Sequence, residues 1–474
     1  MTSPFSLKRF VGFLLSVGGA RVAGTLISTA TFPFLVRMLG VETFGIWSYV
    51  LATVAFADVV SNPGITSYVQ QQVAARREAA VSLVSDVLVL RFVAGIVAAL
   101  TLVVVTLVVE PKPEIRRLIL LYGIAAVLLN GFSSEYLLSA TERFYASSTQ
   151  IILSQSVYAI GVFAFVREPD DITWVIAATL SSVIVSHLFG WGVLWQQGVR
   201  PRLAFNPSRW RAIVIPSAHY GMSTLMSTIY YRTGHFAVRW FLGEHALGLY
   251  AAATRLVEVI RSFINIAHGV LMPRIALYAH QGVSFRHLTT LAISILGLIT
   301  LPLVVGGIMT APALVPWALG EKFMGSVGPF QWIAPYLITQ PAASFLCGTV
   351  LYALGHYRAY LVSTVVGAIA AIILCFTLIP LLGLIGACVA FVSGELGVAI
   401  AAYFLSPPEI RGSWKNPLVG VAALAAVVMA LVISLLPMPL KHPLVMISIG
   451  GSVYVLTCGL IGKGSFAREM RDQT

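Results

Sequence analysis

Residues 86–109 read DVLVLRFVAGIVAALTLVVVTLVV, an apolar run long enough to cross a hydrocarbon core about 30 Å thick. Similar runs recur throughout the 474 residues, of which 58% are hydrophobic and 10% are charged. The mean hydropathy of +0.89 excludes a water-soluble enzyme. Uninterrupted apolar runs favour helices over the alternating strands of an outer-membrane barrel. The sequence therefore predicts an all-α polytopic membrane protein.

Hydropathy predicts about fourteen transmembrane helices, and the first is retained because it carries Arg21 and lacks a convincing signal-peptide cleavage site. The predicted spans are residues 10–35, 44–66, 86–109, 117–139, 150–166, 172–195, 214–238, 247–270, 287–311, 329–354, 359–380, 383–405, 417–436 and 442–462. With both termini cytoplasmic, 17 Lys and Arg residues fall on the inner side and eight on the outer side. The positive-inside rule favours that orientation. The net charge of +12 is explained in this way, and no nucleic-acid partner is expected.

A short element recurs once along the chain. Leu39-Gly40, four residues and Gly45-Ile46-Trp47 return 203 residues later as Leu242-Gly243, four residues and Gly248-Leu249-Tyr250. Repeated halves are common in transporters. The sequence predicts two six-helix lobes, residues 1–205 and 206–405, in a V-shaped exporter-like arrangement. Residues 406–474 add two further transmembrane helices and a cytoplasmic tail.

Arginine on hydroxyl-rich helix faces is the main functional signal. At about 100° per residue, the eighth span carries polar side chains on one arc and apolar residues or alanine on the other. The seventh span has a similar polar arc, and the first span a less sharply divided one. The residues predicted to bind substrate through these faces are Arg21, Arg232, Arg255, Arg261, Tyr220, Thr224, Tyr231 and Asn265. We predict that they line a cationic central cavity.

Structural roles compete with this interpretation. Snorkelling to lipid headgroups is the favoured interpretation of Arg91, which lies near the cytoplasmic end of its span. Asp58 and Glu258 would tune the arginine charge or take part in coupling, and local pairing of Arg255 with Glu258 is allowed by their spacing. For Asp58 and Glu395 a structural ion pair is favoured over a proton or cation site.

Metal and redox chemistry are not predicted. The histidines at 187, 219, 235 and 268 show no metal-ligand spacing, so no metal site or other cofactor is expected, although the identity of a coupling cation or proton stays open. The four cysteines, at 347, 375, 388 and 458, all lie in apolar segments without CxxC spacing. They are predicted to be small buried apolar residues.

A basic face lined with hydroxyls and aromatic rings suits a diphosphate joined to a sugar. The planar guanidinium matches phosphate oxygens, while hydroxyls and aromatic faces contact sugars. The longest predicted outer loop, about residues 312–328, offers no convincing catalytic pair of acids. The sequence therefore predicts a transporter and no catalytic residues.

Two stretches resemble the polysaccharide-transport flippases of the multidrug/oligosaccharidyl-lipid/polysaccharide exporter superfamily. The first, residues 34–75, is FLVRMLGVETFGIWSYVLATVAFADVVSNPGITSYVQQQVAA, matched at Leu39-Gly40, Glu42, Phe44-Gly45, the region of Asp58 and Gly64. The second, residues 239–258, is RWFLGEHALGLYAAATRLVE and resembles the motif of the second half, followed by Pro273-Arg274. Many relatives carry an acid at the position of Gly234, so the resemblance carries no coupling role to that position.

This resemblance implies translocation of undecaprenyl-diphosphate-linked oligosaccharides from the cytoplasmic to the periplasmic leaflet, for O-antigen, capsule or exopolysaccharide assembly. The expected location is the bacterial inner membrane, and the expected partners are the polyprenyl-diphosphate-linked glycan, membrane lipids, and glycan polymerase and chain-length machinery. Alternating access is the expected mechanism. A multidrug or cation antiporter on the same fold, a membrane glycan polymerase or ligase, and a scaffold for glycosyltransferases are the alternatives.

Overall fold

The protein is described by a computed structural model. It describes residues 7–75, 80–141, 143–199, 207–280, 285–351, 354–408, 417–437 and 440–471. Throughout these ranges the regular structure is helical and contains no strand. The predicted all-α class is confirmed.

The chain divides into two compact units, Met1–Arg239 and Trp240–Thr474. The division falls inside one helix, α8, so the segment before residue 240 packs within the first unit. The predicted lobes divide at 205/206 instead, and that domain assignment stays a prediction.

The first unit contains seven complete helices and the beginning of the eighth. They are α1 (Leu7–Ser61), α2 (Ile65–Ala75), α3 (Ala80–Val109), α4 (Pro113–Gly131), α5 (Glu135–Ala140), α6 (Phe144–Phe165), α7 (Ile172–Gln196) and α8 (Pro207–His280). Within the unit α1 packs against α3, α4 and α6, and α6 packs against α7. A buried core near the α1–α2 turn includes Ile65, Val87, Leu137 and Leu194.

The second unit contains the rest of α8 and seven further helices. They are α9 (Phe285–Leu319), α10 (Val327–Ile333), α11 (Tyr336–Ser344), α12 (Tyr357–Leu382), α13 (Leu384–Leu405), α14 (Pro417–Leu435) and α15 (Pro443–Arg471). A π-helical stretch, Phe345–Leu351, continues α11. Helix α12 packs against α13, while α9, α14 and α15 pack together around Met429 and Tyr454.

Ten helices in the described ranges are long and apolar enough to cross a membrane. The fourteen predicted spans fall largely on helical segments. The first and second predicted spans lie mostly within the single helix α1, and the seventh and eighth lie within α8. The tenth covers α10, α11 and the π-helical stretch. A count of about fourteen is consistent with this arrangement. Cys347, Cys375 and Cys388 are buried and free, as predicted, and Cys458 is half-buried.

The repeated element has the same backbone conformation in both copies. Gly40 has φ 71° and ψ 178°, and Gly243 has φ 84° and ψ −176°. This combination is essentially restricted to glycine. Nothing lies within 4 Å of a Cβ built at either position, so the backbone angles, rather than crowding, require glycine. Trp47 and Tyr250, at matching positions after the two glycines, are both buried.

Candidate functional site

The second half of α8 carries the predicted pair Arg255 and Glu258. Nη1 of Arg255 lies 3.0 Å from Oε2 of Glu258, which confirms the local pairing that their spacing allows. The side chains are 48% and 29% exposed. On the predicted apolar arc Leu256, Val257 and Ile264 are buried, but Phe263 on the same arc is exposed, and Tyr250 and Thr254 on the predicted polar arc are buried. The predicted division into a polar and an apolar face is therefore followed only in part.

Arg261 lies one turn further along α8 and is half-buried. Its guanidinium carbon is 6.0 Å from the centroid of the Tyr336 ring. Tyr336 is itself buried and packs against Phe391, with ring centroids 4.8 Å apart. A cation facing an aromatic ring in this way is stabilised by the quadrupole of the ring.

The first half of α8 carries the predicted residues Tyr220, Thr224, Tyr231 and Arg232. Thr224 is exposed, while the other three are half-buried. The Thr224 hydroxyl donates to the carbonyl of Tyr220 over 2.9 Å, and the ring of Tyr231 lies 4.4 Å from that of Tyr230. These residues belong to the first compact unit, whereas Arg255, Glu258 and Arg261 belong to the second.

Arg21 and Asn265 lie on described helices, but their side chains are outside the described part of the structure. Asp58 is half-buried near the end of α1. Its Oδ1 accepts a hydrogen bond from the amide of Asn130 over 2.9 Å and one from the hydroxyl of Ser61 over 3.4 Å. Whether the predicted set acts together in substrate binding stays a prediction.

Arg91 is buried rather than extended to the headgroups. The residue is 3% exposed, and Nη2 donates to the carbonyl of Asn130 over 2.6 Å. That carbonyl lies in the last turn of α4, where backbone acceptors lack partners within the helix. The snorkelling interpretation is therefore wrong, because a tertiary hydrogen bond to the Asn130 carbonyl in the last turn of α4 holds the buried guanidinium within the first unit.

A buried ion pair that the sequence analysis missed joins α8 to the residue directly after α3. Arg239 contacts both carboxylate oxygens of Glu110, with Nη1 to Oε2 2.6 Å and Nη2 to Oε1 3.0 Å. The side chains are 14% and 1% exposed. The guanidinium also lies 3.9 Å from the centroid of the Tyr49 ring on α1. A bidentate pair with an aromatic ring beneath it fixes the geometry of three helices at one point.

The surroundings of Glu110 favour its charged form. Burial by itself raises the pKa of Glu110, but hydrogen bonds from Arg239 and from the backbone N–H of Lys112, and the charge of Arg239, lower it further than burial raises it. The net pKa lies below the ordinary range for glutamate. The only signal for this pair in the sequence is an acid directly after an apolar run, with no indication of its partner 129 residues away.

A second missed contact joins the beginning of α8 to the same unit. Arg209 lies 3.2 Å from Oδ2 of the buried Asp86. Further along α8, Gly221 packs against the turn between α1 and α2. A Cβ at Gly221 would lie 2.7 Å from the backbone of Pro63, and one at Gly64 would lie 2.5 Å from the backbone of Gly221. The first half of α8 is therefore held at both ends by contacts within the first unit.

The residues that the structure describes include no cluster of three or more His, Cys, Asp or Glu side chains that could hold a metal ion. Glu395 lies buried on α13. A structural role for Asp58 and Glu395, favoured over a coupling role, stays a prediction.

Comparisons with known proteins agree in fold. The chain is 22% identical over 402 residues to a proposed O-antigen transporter of Escherichia coli (strain K12), covering 83% of this chain and 95% of that protein. Its fold matches the inward closed conformation of the lipid II flippase MurJ with a TM-score of 0.73 at 16% identity, over 95% and 98% of the two chains. An inward-facing MATE family transporter of the MOP superfamily matches with a TM-score of 0.62 at 17% identity, over 84% and 99%.

The family comparison covers more than half of the chain. Residues 13–279 match the model of a family described as polysaccharide biosynthesis protein. This range includes both copies of the repeated element and all of α8 up to residue 279. The predicted family is confirmed: the chain belongs to the polysaccharide biosynthesis protein family.

Proposed function

We propose that the protein is an inner-membrane flippase that moves undecaprenyl-diphosphate-linked oligosaccharide units to the periplasmic leaflet by alternating access. Membership of the polysaccharide biosynthesis family supports the substrate class. The similarity to an O-antigen transporter and the flippase fold support transport rather than catalysis. In this proposal the protein acts in the assembly of cell-surface polysaccharide and forms no covalent intermediate.

The exposure of Arg255 is the observation that carries the proposal. About half of its side chain is accessible although the helix on which it lies has a buried apolar face. A guanidinium facing acyl chains costs at least about 2.5 kcal/mol, so an accessible arginine in a membrane protein is expected to face water or an anionic ligand. The diphosphate is such a ligand, and the planar fork of arginine binds its oxygens in pairs.

Each predicted residue then has a role. Arg21, Arg232, Arg255 and Arg261 bind the diphosphate, while Glu258 and Asp58 hold or neutralise the guanidinium groups. Tyr220, Thr224, Tyr231 and Asn265 contact the sugars. The pairing of Arg255 with Glu258 supports this scheme, because an exposed i,i+3 pair is weak enough to exchange its carboxylate for a phosphate.

Complementation tests the proposal. Strains lacking a known flippase receive the wild-type chain, Arg255→Ala or Arg261→Ala, and the lipid-linked intermediates are assigned to each leaflet. We expect the wild type to restore the periplasmic pool and each variant to lose it while membrane protein levels stay intact. The matched control is Arg117→Ala, which removes an exposed arginine from α4.

Unchanged export by both variants would contradict the assignment of the arginines. Failure of the wild-type chain in every flippase-deficient strain, together with efflux of cationic drugs, would support the antiporter alternative. Accumulation of translocated but unpolymerised units in a deletion strain would support a polymerase instead. Each outcome concerns the substrate and leaves the fold assignment in place.

A further inference from the structure

An apolar groove lies within the first unit, between α1, α3 and α8. Its volume is about 370 Å³, which is in the range of small-molecule binding sites. Among its lining residues Ala57 and Leu102 are buried, whereas Val60 and Val105 are 42% and 46% exposed. The groove therefore opens on the surface of the protein and is accessible to a ligand from outside.

The lining of the groove suits a hydrocarbon chain. Apart from two threonines its lining residues are apolar. Thr53 and Thr101 each donate the hydroxyl hydrogen to a carbonyl of their own helix over 2.9 Å, so neither offers a donor to a ligand. The rings of Phe56 and Phe236 pack edge to face with centroids 5.7 Å apart. This lining provides no partner for an ion and no donor for a sugar hydroxyl.

The groove lies at the depth of the hydrocarbon layer. The segments of α1 and α3 that line it are long and apolar enough to cross a membrane. Val105 lies five residues before Glu110, which directly follows the apolar span of α3, so it is about 7 Å inside that span. From Thr53 to Val60 the groove follows α1 over about 10 Å. Because acyl chains surround an occupant at this depth, we expect a lipid chain rather than a water-soluble ligand.

Arg232 places a positive charge close to the groove. It lies on α8 four residues before Phe236, and residues at this spacing are neighbours on one helix face. Arg232 is half-buried, and among the described side chains no carboxylate lies within 4.0 Å of it. A cation without a close acid, beside an apolar groove, matches a ligand that joins an anionic group to a hydrocarbon chain.

The depth of Arg232 distinguishes between two kinds of lipid. Arg232 lies seven residues, about 10 Å, before Arg239, whose partner Glu110 follows the end of the α3 span. A phospholipid of the bilayer keeps its phosphate in the headgroup layer, outside the hydrocarbon core. A lipid whose phosphate reaches Arg232 is therefore one that is crossing the membrane.

We propose that this groove binds the polyprenyl chain of the transported lipid where the chain joins the diphosphate. The proposal rests on the proposed function, in which Arg232 binds the diphosphate. The rings of Phe56 and Phe236 and the side chain of Val105 then contact the adjoining isoprene units. The first unit thus recognises the lipid part of the substrate, and affinity depends on the chain as well as on the headgroup.

Equilibrium binding to the purified full-length protein in detergent, measured by native mass spectrometry, tests the groove. The probes are farnesyl diphosphate, inorganic diphosphate and phosphatidylglycerol, and we expect the wild type to bind farnesyl diphosphate most tightly. Val105→Trp places an indole at the groove and should lower the affinity for farnesyl diphosphate by about tenfold, the effect of excluding roughly two methylene groups. Its affinity for inorganic diphosphate, which has no chain, should stay unchanged.

The matched control is Val104→Trp. Val104 is the preceding residue of α3, is 62% exposed and does not line the groove, so this variant should bind all three probes as the wild type does. Val60→Trp, at a second exposed position of the groove, covers the case in which Val105→Trp does not fold. It should also weaken the binding of farnesyl diphosphate.

Three results would overturn the proposal, and they separate it from the proposed function. Wild-type affinity for farnesyl diphosphate in both groove variants would exclude the groove and leave the proposed function in place. An equal loss of phosphatidylglycerol binding would assign the groove to a bilayer phospholipid. If the wild type binds farnesyl diphosphate no more tightly than phosphatidylglycerol, and Arg232→Gln changes neither affinity, the proposed function itself is contradicted and the inference falls with it.

Discussion

Two arginines on either side of Gly243 in α8 have opposite surroundings. Arg239 makes a bidentate ion pair with a glutamate that is 129 residues away and 1% exposed. Arg255 makes a single contact with a glutamate three residues away on the same helix, and both side chains are partly exposed. The buried, distant pair holds helices together, whereas the exposed, local pair leaves its guanidinium accessible. The same residue type thus has a structural role before the glycine and an accessible position after it, where the proposed function assigns it to substrate binding.

The largest effect is expected from breaking the buried pair. Glu110→Gln or Arg239→Gln leaves one buried charge without its partner, which typically costs about 3–5 kcal/mol. We expect either substitution to lower the Tm in detergent strongly. The double variant Glu110→Gln/Arg239→Gln should lose less than the sum of the two, because the interaction is shared. Strict additivity of the two losses would show that the pair does not hold α8.

The packing of Gly221 against the turn between α1 and α2 gives a second test of how the first half of α8 is held. Gly221→Ala places a Cβ about 2.7 Å from backbone atoms of Pro63, which cannot move as a side chain can. Overpacking of this kind costs about 1–3 kcal/mol, so we expect a lower Tm. Gly420→Ala on α14 is the matched control, because nothing lies within 4 Å of its Cβ. Equal Tm values for the two variants would mean that the first half of α8 is not packed against this turn.

Substitutions at the two repeated glycines test whether Gly40 and Gly243 have the same structural role. Gly40→Ala and Gly243→Ala should each cost about 1–3 kcal/mol through backbone strain, and the two losses should be similar. Asparagine should not rescue either position, because this backbone region excludes it as well. Measurement of Tm for the four variants decides the matter, and a large loss at one glycine with none at the other would argue against equivalence.

The smallest effect on stability is expected at the exposed pair. Glu258→Gln removes an i,i+3 contact between partly exposed side chains, which contributes about 0.5 kcal/mol or less. The Tm should therefore hardly change, while glycan export should fall if Glu258 orients Arg255 for the diphosphate. Measuring both quantities on one preparation separates the roles. A large drop in Tm would show that the pair of Arg255 and Glu258 has a structural role like that of Arg239 and Glu110.

The site could be predicted in part because its signals are local. The i,i+3 pairing of Arg255 with Glu258 and the buried face of Leu256, Val257 and Ile264 follow from helix periodicity. The burial of Arg91 could not be predicted from the sequence, because its position near the end of a span favours snorkelling. Only in the folded chain does a carbonyl from the last turn of α4 lie beside Arg91. This contact favours the buried position of the guanidinium over an extended one.

The membrane class, the helical architecture, the family and the recurrence of one glycine-containing element could be predicted from the sequence alone. These depend on apolar run length and on short motifs, both of which are local properties. The tertiary structure decided which charges are buried, and with which partners. Glu110 with Arg239, Asp86 with Arg209, and Gly64 with Gly221 meet across more than 100 residues. Such contacts depend on how whole helices pack, which hydropathy and helical periodicity do not specify.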